Sequence, residues 1–228
     1  MPGKGPPMSQ VMTIAPPRRT LADLLERLGD VPLRRVLADP APGTATEQDV
    51  IELEAREKRL CELVDGVLVE KPMGFYESRV AAVLIQLLGN FLDGHDLGIV
   101  VGEAGMMRLG TGLVRIPDVA FIAWDRMPDR QVPRRPIPDL VPDLAVEVLS
   151  ESNTAKEMER KRGEYFRAGV RLAWFIDPVG RTAEVYTAPD QATAIGPEGT
   201  LEGGDVLPGF VLPLRELFAR VDRQGPRG

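Results

Sequence analysis

Two acids stand inside apolar, strand-like runs, and they restrict what this chain can fold into more than any other feature. Asp118 lies in Arg115-Ile-Pro-Asp-Val-Ala-Phe-Ile122, and Glu147 in Leu144-Ala-Val-Glu-Val-Leu149. An ionised carboxylate is costly to bury unless a cation, a metal or hydrogen-bond donors compensate it. Strand alternation sends Ala145, Glu147 and Leu149 to one face and Leu144, Val146 and Val148 to the other, while Ile116, Asp118, Ala120 and Ile122 share a face of the earlier run. If the two strands are neighbours, both acids converge, and a divalent cation between them would offset their repulsion. Pro117 fits such a site, because proline in a strand belongs at its start or at a bulge, where a side chain can be re-aimed. The structural alternative has Asp118 capping a turn after Pro117 and Glu147 pairing with a buried arginine.

The rest of the composition removes competing chemistries. With one cysteine (Cys61) and one histidine (His95), the chain cannot build disulfide frameworks, zinc fingers or multi-histidine zinc sites. Cys61 sits in the strand-like Leu60-Cys-Glu-Leu-Val64, where a small buried hydrophobe is the common role, and His95 in Asp93-Gly-His-Asp96 reads as a solvated turn residue. A metal here must take oxygen ligands, which favours Mg²⁺ or Mn²⁺. A net charge of −6 argues against a constitutive nucleic-acid binder but leaves room for a nuclease, whose basic contacts need line only one groove. The arginines of Arg126-Met-Pro-Asp-Arg-Gln-Val-Pro-Arg-Arg135 are one candidate lining, with a solvated loop as the alternative. No run is long enough for a membrane span, and the N-terminus has no apolar secretion signal, so a cytoplasmic location is expected.

Proline-rich residues 1–19 read as a disordered leader, residues 20–45 as an N-terminal helical appendage, residues 46–221 as one domain and residues 222–228 as a flexible tail. Thr20 caps a first helix ended by Gly29, and an acidic helix follows over 47–58. Asp65-Gly66 between two apolar runs predicts a tight hairpin. Val80, Leu84, Leu87, Leu88 and Phe91 define a long amphipathic helix over 77–93. Strands are predicted at 97–101, 106–109, 116–122 and 144–149. Thr154 and Glu157 form a capping box for a helix that Gly169 stops. Paired strands at 172–176 and 182–187, a short strand near Phe210 and a helix over 214–221 complete an α/β (α+β) order: a mixed β-sheet flanked by helices with an N-terminal β-hairpin extension. Trp174 and Phe175 read as core rather than a base-stacking platform.

Pro117-Asp118, then Glu147 in an apolar strand, then a helix carrying lysine resembles the PD-(D/E)xK nuclease superfamily. Within it the chain is most similar to the Uma-type family of restriction-endonuclease-like proteins. Further stretches that carry the likeness are Glu62-Leu-Val-Asp-Gly-Val-Leu-Val69, Lys161-Arg-Gly-Glu-Tyr165 and Ala168-Gly-Val-Arg-Leu-Ala-Trp174, and it spans residues 46–218. The resemblance implies a restriction-endonuclease-like fold and Mg²⁺-dependent (or Mn²⁺-dependent) hydrolysis of DNA phosphodiesters. It implies Asp118, Glu147 and the backbone carbonyl of Val148 as metal ligands, with Glu77 as a possible accessory carboxylate. One position departs from the superfamily: two residues after Glu147, where lysine is expected, stands Leu149. The resemblance places the lysine on the following helix at Lys161, with Lys156 as the fallback; a surface pair between Lys161 and Glu157 at i, i+4 is the bland reading. Glu77 could equally be an acid favoured by the helix dipole. A homodimer is implied, since duplex cutting often uses two sites. The competing function is a catalytically inactive nuclease-fold module that binds or regulates.

Overall fold

The computed structural model describes residues 20–72 and 74–225. The expected leader over 1–19 and the last three residues of the expected tail lie outside the described residues.

Two sheets meet at Asp118. The larger has six strands in the order β10, β9, β8, β7, β6, β3, formed by β3 (Gly98–Gly102), β6 (Val119–Ala123), β7 (Leu144–Val148), β8 (Leu172–Asp177), β9 (Thr182–Ala188) and β10 (Gln191–Ile195). Its β7–β8 pair is parallel and its other pairs antiparallel, so the sheet is mixed as predicted. A parallel neighbour needs a crossover, which α4 (Ala155–Ala168) supplies. The smaller sheet runs β2, β1, β5, β4 and comprises β1 (Cys61–Val64), β2 (Val67–Glu70), β4 (Met107–Gly110) and β5 (Leu113–Arg115). The hairpin expected as an extension is thus half of a second sheet.

Local chemistry sets the boundaries. Asp65 (φ 51°) and Gly66 (φ 75°) both take the left-handed conformation a type I′ hairpin turn requires. The strand expected over 116–122 begins only at Val119, and a separate strand just before it, β5, belongs to the other sheet. Pro117 cannot donate to a ladder, so the chain leaves β5 after Arg115 and enters β6 at Val119, with Ile116-Pro117-Asp118 as the junction. β10 and a short pair, β11 (Thr200–Glu202) with β12 (Val211–Pro213), were not evident in the sequence beyond the strand near Phe210. The polar alternation of β10 leaves it exposed on an edge, with no apolar face to announce it.

Helices cover both faces of the large sheet. On one side α3 (Phe75–Leu92) and α5 (Leu214–Val221) pack Val80, Leu84, Leu88, Leu214 and Phe218 against Leu144, Val146, Val148 and Trp174. Those three β7 residues are the face predicted by alternation. On the other side Tyr165 of α4 joins Ala120, Ile122, Ala145, Met107 and Leu109. The N-terminal segment is built in: α1 (Leu21–Arg27) is followed by Leu28 and Val31, which pack on Val64, Val67 and Val69 of the hairpin, and buried Arg35 forms a bidentate pair with Glu157 at 2.7 and 2.9 Å. α2 (Glu47–Glu57) rests its Val50 on Leu63 and Leu68. Asp222, expected in the flexible tail, accepts hydrogen bonds from Tyr76 and Arg181, each 2.7 Å. No helix among the described residues is long and apolar enough to cross a membrane.

Cys61 is fully buried, and desolvation pushes its thiol up to about 12. His95 stacks on Phe91 after α3 and its Nδ1 lies 2.8 Å from the Phe91 carbonyl oxygen. Reaction of the native protein with a thiol reagent at pH 8 should therefore be at least about a hundredfold slower than that of the urea-unfolded chain, because only the thiolate attacks; equal rates would contradict the burial of Cys61.

Candidate active site

The β6–β7 register pairs Val119 with Val146 and Ala120 with Ala145, which sets Asp118 across from Glu147 just beyond the ladder. The Asp118 N–H still donates to the Val146 carbonyl at 2.9 Å. Asp118 Oδ2 accepts the Val148 N–H at 2.6 Å. A strand residue directs its own N–H and C=O to the same side, so the Val148 peptide faces Asp118. The two acids predicted to converge do so, at the C-terminal end of β7.

Neither acid is bare. Lys161 Nζ lies 3.2 and 3.1 Å from the two Glu147 oxygens and 3.0 Å from Glu62 Oε1. The Tyr165 hydroxyl donates to Glu147 Oε1. Lys71 Nζ lies 2.9 Å from Asp118 Oδ1 and donates to the Ile116 carbonyl. Beneath them Arg115 bridges Glu62 Oε2 (2.6 Å) and Glu164 Oε2 (2.8 Å from Nε), and Glu62 Oε1 accepts the Ile116 N–H at 3.1 Å. Side-chain exposure falls inward, from 15% at Asp118 to 6% at Glu147 and 2% at Lys161.

The α4 sequence explains this placement. Glu157, Lys161, Glu164 and Tyr165 follow one another at helical spacing and form its buried face, so the helix turns a polar stripe inward. Thr154 caps it by accepting the Glu157 N–H at 3.0 Å. The full capping box does not form, because the Glu157 carboxylate goes to Arg35. The Lys161–Glu157 surface pair is absent for the same reason: Lys161 is buried and points to Glu147 and Glu62. Leu149, at the position where lysine was expected, packs with Ala173, Phe175 and Met158.

The fallback Lys156 is exposed and pairs with Asp30 at 2.7 Å. Glu77 lies in the first turn of α3, its carboxylate folded over Gly74, with no hydrogen bond or ion pair to Asp118, Glu147 or Lys161. It lines a cavity of about 930 Å³ that also touches Tyr76, Ser150, Ser152 and Arg181. The arginine loop over 126–135 leaves β6 at the end opposite Asp118. Arg126 is bound to Asp143 (3.1 Å) and the Gly169 carbonyl, and Arg130 to Asp96 (2.5 Å). Two of the loop's four arginines thus hold structure rather than line the acids.

Burial and charge act in opposition here. Desolvation pushes the Glu62 carboxyl up, but Lys161, Arg115 and Lys71 outweigh it and hold the group below the usual carboxylate range. At Glu147 desolvation wins over Lys161 and Lys71, and the group is raised. Desolvation would lower Lys161, but Glu147 and Glu62 more than offset it, so its ammonium is held above its ordinary value. Lys161 is a cation at neutral pH, suited to donating hydrogen bonds and stabilising negative charge rather than to accepting a proton.

Asp118, Glu147 and the Val148 carbonyl make an all-oxygen donor set, chemically suited to a hard cation such as Mg²⁺ or Mn²⁺. Among the described residues, no group of three or more His, Cys, Asp and Glu is arranged to hold a metal. The set thus consists of two acids and a peptide oxygen. The sequence alone assigns no role to Glu62, Lys71, Arg115 or Tyr165. Glu62 and Arg115 carried a signal, each being a charge inside an apolar strand run, whereas Lys71, between a strand end and Pro72, carried none.

A family model described as "Uma2: Putative restriction endonuclease" matches residues 47–215, more than half of the chain. A search of curated proteins finds none that matches. Among solved structures, the chain resembles a protein described as "a putative nuclease belonging to DUF820 from Anabaena variabilis ATCC 29413". The two share 18% sequence identity at a TM-score of 0.64, over 72% of this chain and 92% of the other. The fold is restriction-endonuclease-like, as the motifs implied.

Proposed function

The chain belongs to the Uma2 family, and from that premise together with the site's geometry we propose that it is a metal-dependent endonuclease hydrolysing DNA phosphodiester bonds. The observation that carries this reading is the meeting of Asp118, Glu147 and the Lys161 ammonium, from three separate elements, at the end of β7. Asp118, Glu147 and the Val148 carbonyl would hold Mg²⁺ or Mn²⁺. When bound, such a cation supplies a water of lowered pKa and positive charge for the phosphate.

The chain's own groups do the remaining work. Lys161, held between Glu147 and Glu62, offers its ammonium protons to the attacking water or to the charge that develops on phosphate oxygens. Tyr165 fixes the Glu147 carboxylate by its hydroxyl, and Arg115 neutralises Glu62 so that Lys161 is not drawn wholly to that acid. Each chain carries one such acid pair, so cutting both strands of a duplex would engage two copies, as a homodimer.

Incubation of the purified protein with supercoiled plasmid, linear duplex, single-stranded DNA and RNA, in Mn²⁺ or Mg²⁺ and in EDTA, tests the reading. Metal-dependent cleavage of DNA, absent in EDTA, is expected. Cleavage of none of these substrates would favour the non-catalytic binding or regulatory module, for which the lysine-occupied acids are the one structural argument.

A further inference from the structure

We propose that Lys71 is a built-in counter-cation for Asp118, covering the carboxylate oxygen that a divalent metal would use and released into the adjoining cleft when metal binds. This rests on the metal-binding reading above and adds a residue to it. Lys71 follows β2, with its backbone N–H fixed to the Leu60 carbonyl at 2.9 Å. Its side chain is buried, and Nζ reaches Asp118 Oδ1 at 2.9 Å. The second Asp118 oxygen is satisfied by the Val148 N–H, so Oδ1 is the oxygen a cation can reach, and Lys71 covers it.

The two lysines differ in how they are held. Lys161 is clamped by two carboxylates, Glu147 and Glu62. Lys71 has one carboxylate partner and a carbonyl. It also lines a cavity of about 520 Å³ together with Arg34, Lys58 and Arg59, and this cavity meets the one beside Glu77 at Arg34, Pro72 and Ser152. Its carboxylate partner Asp118 is more exposed than Glu147 or Glu62. A divalent ion carries twice the charge of an ammonium and would compete for Oδ1. The displaced Lys71 would then face the basic wall of the cleft, where an anionic phosphate can take the place of Asp118 as its partner.

Mn²⁺ affinity of the full chain, measured by calorimetry for wild type, Lys71→Met and Lys71→Gln, tests this independently of cleavage. Removing a competitor that keeps most molecules closed to metal should tighten binding about tenfold or more in both variants. The gain should vanish when Asp118→Asn is added. In wild type, acetylation of Lys71 by an amine reagent should rise on adding Mn²⁺ while that of Lys161 does not. Variants that bind Mn²⁺ no more tightly than wild type would overturn the proposal. Variants that stay unfolded even in Mn²⁺ would also overturn it, since Lys71 would then be holding the fold rather than a cation position. Tighter binding in a protein that cleaves no nucleic acid would support the counter-cation role while refuting the nuclease reading.

Discussion

Arg115→Met is expected to destabilise the protein by about 3 to 5 kcal/mol, the usual cost of removing one partner from a buried charge group. Among the described residues, Arg115 is the only cation in direct contact with both Glu62 and Glu164, and all three side chains are at most 5% exposed. Methionine fills a similar volume, so the loss is electrostatic rather than a cavity effect. It leaves Glu164 with Arg160 at the rim (2.7 Å) and Glu62 with Lys161 and the Ile116 N–H. Urea unfolding checks it: the midpoint should fall while the slope with denaturant stays unchanged, because the surface exposed on unfolding is the same. Adding Glu164→Met to Arg115→Met should recover part of the loss, since replacing a buried ionic group wholly by apolar side chains can be neutral or better. A stability loss below about 1 kcal/mol would mean that water reaches the cluster and screens it.

Lys161→Met is expected to cut metal-dependent cleavage by about 10² to 10³, the scale for losing one well-placed donor to a transition state. Its interpretation needs a control, because the same change leaves Glu147 and Glu62 facing each other without the ammonium between them, and stability will fall as well. Lys161→Arg supplies the control. It restores a positive charge, but a planar fork does not reproduce the compact ammonium that reaches three carboxylate oxygens from one nitrogen. Lys161→Arg should therefore regain stability more than rate, with folding followed by circular dichroism and rate by single-turnover cleavage. Parallel recovery of both would make Lys161 a purely structural residue.

Most of the fold could be read from residue order, because its signals are local. Thr20, Thr154, Asp65-Gly66 and Gly169 mark boundaries by chemistry that acts within a turn or two, and the apolar face of α3 repeats regularly. Alternation in β7 correctly divided Leu144, Val146 and Val148 from Ala145, Glu147 and Leu149. The split at Pro117 is half visible: the proline marks a place to re-aim a side chain, but which sheet each side joins depends on partners more than 50 residues away, such as Leu63 opposite Val114. α4 shows the limit most clearly. Periodicity rules look for an apolar stripe, and the stripe this helix buries is Glu157, Lys161 and Glu164. Its inward direction follows only once Arg35, Glu62, Arg115 and Glu147 are in place around it. Lys161 reaches Glu147 from that stripe, whereas Lys71 offers no pattern at all.

The nuclease proposal stands or falls on Asp118 and Glu147 forming a catalytic metal pair. It is tested most directly by single-turnover cleavage of supercoiled plasmid in saturating Mn²⁺, comparing wild type with Asp118→Asn, which keeps shape and can still accept the Val148 N–H. Wild type should cleave, and the variant should lose about a thousandfold in rate with circular dichroism unchanged. Equal rates for the two proteins would contradict it.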